Sequence, residues 1–284
     1  MFGEIIKKIG KYILIAIILF FFLFPIYWLA ITAFKRSEDW FSWPPIFITR
    51  MLTLDNFFGL KGGGYGHLTT SMANIAPYLI NSTVVGIVTA LVSTGIAASA
   101  AYAISRYKIG GMGFVSWIIS IRMLPPIAAA LPLYVIFSKL RLVNTWWALI
   151  LSYLVLTTPL STWVLITFFN DIPKELDEAA QVDGCSPTKA FFHIILPLSA
   201  PGLAAVATLA FIACWGEFLL ALILTNDEAA QTLPIFLGRY ITGWRVAWGP
   251  LAAAGIINMM PVIIFSLLMQ KYLIRGLTFG AIKG

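Results

Sequence analysis

Six stretches of this chain are apolar for long enough to cross a bilayer as helices: about 12–33, 79–104, 114–137, 145–168, 202–224 and 250–273. A hydrocarbon core about 30 Å thick takes about 20 apolar residues in a helix. Inside lipid every backbone N–H and C=O needs a partner, so only helices and closed barrels span it. None of the runs alternates apolar with polar, which argues against a barrel. The sequence therefore predicts an all-α, polytopic membrane protein with six transmembrane helices. Composition agrees. Of 284 residues 60% are hydrophobic and only 11% are charged, against about 25% charged in a soluble domain. Polar surface is too scarce for a soluble enzyme, and the chain is too apolar to stay disordered. Two cysteines, Cys185 and Cys214, lie in or beside apolar sequence. They read as buried free thiols, too few for a disulfide framework.

The helices organise the chain into a tail and first helix over 1–33, an external or interfacial loop over 34–78, and a core over 79–284. The 34–78 loop holds Trp40, Trp43, Pro44, Pro45 and the Gly62–Gly64 run. The net charge of +7 comes from lysines and arginines scattered in short loops. That pattern suits contact with lipid headgroups and excludes a nucleic-acid partner, since no basic cluster is interleaved with aromatics. The first apolar run is too long for a signal-peptide core, and no small-residue cleavage site follows it. His67 and His193 are isolated, so no metal spacing is present. With the N-terminus inside, ten basic residues are cytoplasmic and eight external. The Lys7-Lys8-Lys11 cluster before the first helix favours that choice. Both termini and the fourth loop are then expected in the cytoplasm.

The fourth loop, about 170–200, is polar. Pro173 suits a first helical turn, Gly184 a C′ position with positive φ, Ser186 an N-cap with Pro187 at the first helical position, and Pro197 a helix end. Two short helices with a turn are predicted. Leu176, Ala179 and Ala180 are expected to share one face. Residues 171–183 carry Asp171, Glu175, Asp177, Glu178 and Asp183 against Lys174 alone. A helix lying on anionic lipid should be basic. An acidic, small-residue helix better suits a protein partner with basic residues, and the alternative is a solvated connection.

Within this loop Glu178-Ala179-Ala180, then Gly184, Ile194 and Leu196-Pro197 match the EAA signature at seven positions over 20 residues. Asn81-Ser82, Met123-Leu124-Pro125-Pro126 and the end from Arg275 to Gly284 extend the likeness over nearly the whole chain. The sequence resembles the carbohydrate-uptake ABC importer permeases of the maltose-type, MalG-like group. The resemblance implies the type I ABC importer permease fold. It also implies a role: permease subunit for a sugar, oligosaccharide or polyol, in the inner membrane of a prokaryote. It implies that Glu178, Ala179, Ala180, Asp183, Gly184, Ile194, Leu196 and Pro197 couple the subunit to an ABC ATPase dimer. Glu178 would pair with a basic residue there, the two alanines would allow close approach, and Gly184 would form the turn. It further implies a second, different permease subunit and an extracytoplasmic solute-binding protein. No Gly-x-x-x-x-Gly-Lys-Ser/Thr loop is present. ATP and Mg are therefore expected on the ATPase partner, with no cofactor in this chain and no enzymatic site of its own.

Four residues within the predicted spans are candidates for the substrate path: Arg122, Trp215, Glu217 and Asn258. Arg122 in the third is costly in lipid and should face protein or water, either as a gate or as a structural contact. The adjoining Pro125-Pro126 breaks the helix. Glu217 beside Trp215 in the fifth could bind a sugar, hydroxyls to the acid and apolar face to the ring, or could be a packing contact. Asn258 in the sixth is a pathway residue or interhelical glue. An ABC permease for a phosphate ester, peptide or amino acid is the alternative, because the EAA signature is common to those. A membrane enzyme would need a nucleophile, metal cluster or paired carboxylates at the boundary, and the sequence shows none, while a passive scaffold has no use for a coupling signature.

Overall fold

A computed structural model describes residues 2–49, 51–58, 74–243 and 246–279. Gly62–Gly64, Arg50, Lys61, His67, Arg245 and the end from residue 280 lie outside these. Twelve helices are formed among the described residues: α1 Phe2–Phe34, α2 Asp55–Phe58, α3 Ile75–Tyr107, α4 Gly111–Ser120, α5 Pro126–Lys139, α6 Trp146–Asp171, α7 Glu175–Val182, α8 Pro187–Leu198, α9 Ala200–Trp215, α10 Leu219–Leu224, α11 Leu233–Gly238 and α12 Trp248–Phe279. The only bridge between extended residues among them joins Ile241 and Val246.

Four single helices are long and apolar enough to span a membrane: Ile6–Phe34, Ile75–Tyr107, Trp146–Asp171 and Trp248–Lys271. The number reaches six if each of two bent pairs is one span. The predicted third helix is thus not a straight rod. Between α4 and α5 the axis turns by 88°. Pro125 and Pro126 have no N–H to continue the helix, and Leu124 before them is pushed to ψ 121°. A second bend, of 77°, separates α8 from α9. The predicted fifth helix also stops at Trp215 and restarts at Leu219.

Two compact units form, one from Met1–Ile75 and Leu237–Met260, the other from Ala76–Phe236 and Pro261–Gly284. In the first, Asn56 of α2 closes the carboxyl end of α1. Its Nδ2 donates to the carbonyls of Ala33 and Lys35, both at 2.8 Å. These are carbonyls that a helix end leaves without an intrahelical partner. Lys35 itself is 1% exposed, its ammonium 4.0 Å above the Trp28 ring. Burial lowers its pKa and Asp39 opposes part of that effect. Residues 6–27 of α1 are exposed throughout.

In the second unit α3, α6 and α9 carry the core. One apolar cluster gathers Val85, Phe137, Leu149, Tyr153, Leu220 and Leu224. A second gathers Ala97, Ala101, Tyr102, Leu165, Phe169, Phe191, Ile195 and Val206. Small residues set the spacing: a Cβ on Gly202 would sit 2.7 Å from the Phe168 ring, so α9 approaches α6 closely only with glycine there. Asn81 and Ser82, one turn into α3, tie down the segment before α11. Asn81 Nδ2 donates to the carbonyls of Glu228 and Gln231, both at 2.9 Å, and its Oδ1 accepts from Trp146 Nε1 at 2.8 Å. Ser82 Oγ accepts from the Leu233 N–H at 2.8 Å.

Candidate coupling site and the polar residues of the spans

The second apolar cluster is the floor on which the 170–200 segment rests. Three residues, Ile172–Lys174, connect α6 to α7. The end of α7 is a Schellman turn. The Cys185 N–H donates to the Ala180 carbonyl at 2.9 Å, and the Gly184 N–H to the Gln181 carbonyl at 3.0 Å. That geometry needs a left-handed C′ residue, and Gly184 has φ +84°. Ser186 then caps α8, its Oγ accepting from the Lys189 N–H at 3.3 Å, with Pro187 first in the helix. The expected two helices and turn are what forms. Pro197 falls one residue before the end of α8. The preceding turn, Phe191–Ile195, is π-helical.

The face assignment within α7 differs from expectation. Ala180 is buried, while Leu176 and Ala179 point outward. At 3.6 residues per turn, Asp177 and Ala180 fall on the inner face. Glu175, Glu178, Ala179 and Val182 then form the outer stripe, and Val182 is 88% exposed. Asp183 and Gly184 are exposed at the turn and Pro197 at the end of α8. Ile194 and Leu196 pack half-buried against the cluster beneath.

Asp177, Arg106 and Tyr102 were not singled out by the sequence pattern. Asp177 reads as one more solvated acid, and Arg106 as a charge that orients the protein. In the folded chain Asp177 is 6% exposed. Its Oδ2 lies 2.7 Å from Arg106 Nε and its Oδ1 accepts from Tyr102 Oη at 2.9 Å. The available signal was helical phase: Asp177 shares a face with Ala180, whereas Glu175 and Glu178 share the other.

Arg122 sits in the 3-10 turn Ile121–Met123 at the α4–α5 break and is exposed. It borders a small cavity of about 20 Å³ with the hydroxyl residues Thr157 and Ser161. Glu217 occupies the gap between α9 and α10 and caps α10: Oε1 accepts from the Leu220 N–H at 2.9 Å and Oε2 from the Ala221 N–H at 3.2 Å. Trp215 is 3% exposed, its ring 5.4 Å from that of Phe211. The carboxylate therefore caps α10, and the indole packs within α9. Asn258 is half-buried in α12, in the first compact unit, while the other three belong to the second. Among the described residues no group of three His, Cys, Asp or Glu could hold a metal ion.

Comparison with known proteins places this arrangement. Residues 93–279 match the model of the family described as "Binding-protein-dependent transport system inner membrane component". The trehalose/maltose transport system permease protein MalG of Thermococcus litoralis is 35% identical over 284 residues, 99% of each chain. The diacetylchitobiose uptake system permease protein DasC of Streptomyces coelicolor is 32% identical over 271 residues, 95% of each. In structure, the chain is similar to one from a bacterial ABC transporter that imports the acidic polysaccharide alginate. The TM-score is 0.73 at 20% identity, covering 95% of this chain and 98% of that one. That likeness shows a shared ABC importer permease fold. A family match across most of the chain, a relative aligned end to end, and broken apolar helices around a structured polar loop lead to one conclusion: this chain is a multi-pass membrane protein of the binding-protein-dependent transport system inner membrane component family.

Proposed function

We propose that this chain is one permease subunit of an ATP-driven importer for a sugar or oligosaccharide, and that α7 is where ATPase motion enters it. One observation carries the reading. The outer stripe of α7 sets an 88% exposed Val182 and the small Ala179 beside Glu175 and Glu178, while the inner face is anchored. A valine so exposed on a short acidic helix gains by burial, and the acids select a basic cleft. An ATPase subunit lined with basic residues is the matching partner. ATP and Mg reside on that partner, because this chain has no phosphate-binding loop. A second permease subunit completes the path, and an extracytoplasmic binding protein delivers the solute, in keeping with the family's description. Both termini and α7 lie in the cytoplasm. Relatives named for trehalose/maltose and diacetylchitobiose support a sugar or oligosaccharide solute. The chain acts by opening and closing a route, with no covalent chemistry.

The test is co-purification with the importer's ATPase subunit. Glu178→Lys and Val182→Asp are expected to insert normally and to lose the ATPase subunit and solute-stimulated hydrolysis. Wild-type recovery of the ATPase and wild-type transport in both variants would reject the coupling role.

A further inference from the structure

The Arg106–Asp177–Tyr102 cluster does more than hold a loop. Arg106 stands at the end of α3, and its guanidinium points two ways. Nε reaches Asp177 Oδ2 at 2.7 Å, and Nη2 donates to the Ile172 carbonyl at 3.0 Å, in the residue that ends α6. Tyr102, one turn earlier in α3, donates to the other carboxylate oxygen at 2.9 Å. The Tyr102 ring packs 4.7 Å from that of Phe191 in α8 and 6.3 Å from that of Phe169 in α6. One carboxylate of α7 is thereby tied to α3 by a hydrogen bond from Tyr102 and an ion pair with Arg106 and, through that guanidinium, to the end of α6.

We propose that these three residues form a positioning latch that makes α7 move as one body with the inner ends of α3 and α6. The inference rests on α7 being the coupling helix. α7 has eight residues, of which only Asp177 and Ala180 are buried. So small an apolar contact slides under load, and the flanking segments would absorb a displacement of α7 before it reached the membrane. The hydrogen bonds from Tyr102 to Asp177 and from Arg106 to Ile172, flanking the Arg106–Asp177 ion pair in a low-dielectric site, resist both rotation and shear. Buried ion pairs are poor stabilisers compared with apolar packing, so an Asp and an Arg at buried positions are better explained by the geometry they enforce. A lysine at 106 would keep the charge yet lack the planar fork that meets two acceptors in different directions.

The test uses the whole importer, this chain with its ATPase, second permease and binding protein, in proteoliposomes. Three quantities are read: ATPase subunit recovered, ATP hydrolysed, and solute moved per ATP. Tyr102→Phe and Arg106→Lys are expected to retain the ATPase and its hydrolysis while solute moved per ATP falls about fivefold or more, the range of a site-to-site coupling energy. Glu178→Lys, in contrast, is expected to lose the ATPase itself. If Glu178→Lys loses the ATPase but both latch variants move as much solute per ATP as wild type, the latch is wrong and the coupling role stands. A latch variant that loses ATPase and transport in equal proportion, ratio unchanged, also overturns the latch, because it then acts only in folding. If Glu178→Lys retains full activity, the coupling role fails first. Should Arg106→Lys not insert, Tyr102→Phe alone decides, since it removes one hydroxyl and keeps the ring.

Discussion

Asp177→Ala would leave the Arg106 guanidinium buried beside a methyl group, and removing one partner of a buried pair costs about 3–5 kcal/mol. Tyr102→Phe leaves one carboxylate oxygen without its donor, worth about 1–3 kcal/mol. Denaturant titration of the purified subunit in mixed micelles should rank Asp177→Ala well above Tyr102→Phe, and equal effects would mean the ion pair is not formed. Gly184 separates strain from contact. A side chain there has to adopt a left-handed backbone, at about 1–2 kcal/mol, but its Cβ meets no atom of this chain within 4 Å. Gly184→Asn, which tolerates that backbone, is expected to fold almost normally. If Gly184→Asn still loses the ATPase on co-purification, the obstruction comes from the partner's surface. Neither Asp177 nor Gly184 differs in type from residues that are merely solvated. Gly184 was legible because Ser186-Pro187 follows it and sets the frame of a turn. Asp177 was not legible, since which acid faces inward depends on what the helix lies against.

At the scale of elements, the breaks in the spans hold the unexpected chemistry. Glu217 reads as a lone membrane acid, yet both its oxygens accept N–H groups that open α10. A carboxylate capping a helix amino end is favourable, and losing such a cap costs about 0.5–2 kcal/mol. Glu217→Gln keeps an acceptor oxygen and should transport near the wild-type rate, while Glu217→Ala should be less stable and slower. A sugar-binding acid would make both variants raise the KM for solute alike. On the loops, Asn144 joins the ends of two segments: its Nδ2 donates to Asp227 Oδ1 at 2.9 Å, and its Oδ1 accepts from the Asn226 and Asp227 N–H groups at 3.0 and 3.4 Å. The Asn144 amide, then the Ala229 N–H, hold the Asp227 pKa below its ordinary value. A depressed carboxylate contributes stability above its unfolded pKa, about 3.9, and loses it as pH falls through the lower folded value. Hydrogen exchange over 225–230 should therefore quicken only below about pH 4, and Asn144→Ala should remove that acid-dependent step. The proline pair in the third span made its break readable. The α9–α10 break has no proline, only Gly216 before an acid, and a capping acid is indistinguishable in sequence from a ligand-binding one.

For the whole molecule, the exposed face of α1 and the outward stripe of α7 are two of the surfaces left open among the described residues. The orientation that gives α7 a cytoplasmic partner is directly measurable. In a cysteine-free background, Val182→Cys should react with an impermeant maleimide only in inside-out vesicles, and Asn226→Cys only in intact cells. The reverse pattern would place α7 outside and end the coupling proposal. Long apolar runs, the spacing from Glu178 to Pro197 and the lack of a phosphate loop determine helices, membrane insertion and family, because these depend on local periodicity and on the cost of burying polar backbone in lipid. Tertiary structure alone decided that Ala180 turns inward, that Glu217 caps a helix, and that Asp177, Arg106 and Tyr102 meet. Those outcomes depend on the phase and approach of residues 71 and 75 positions apart, or on where a helix happens to stop. No local pattern encodes such distances, because the energy of a buried charge is set by the partner that packing brings to it.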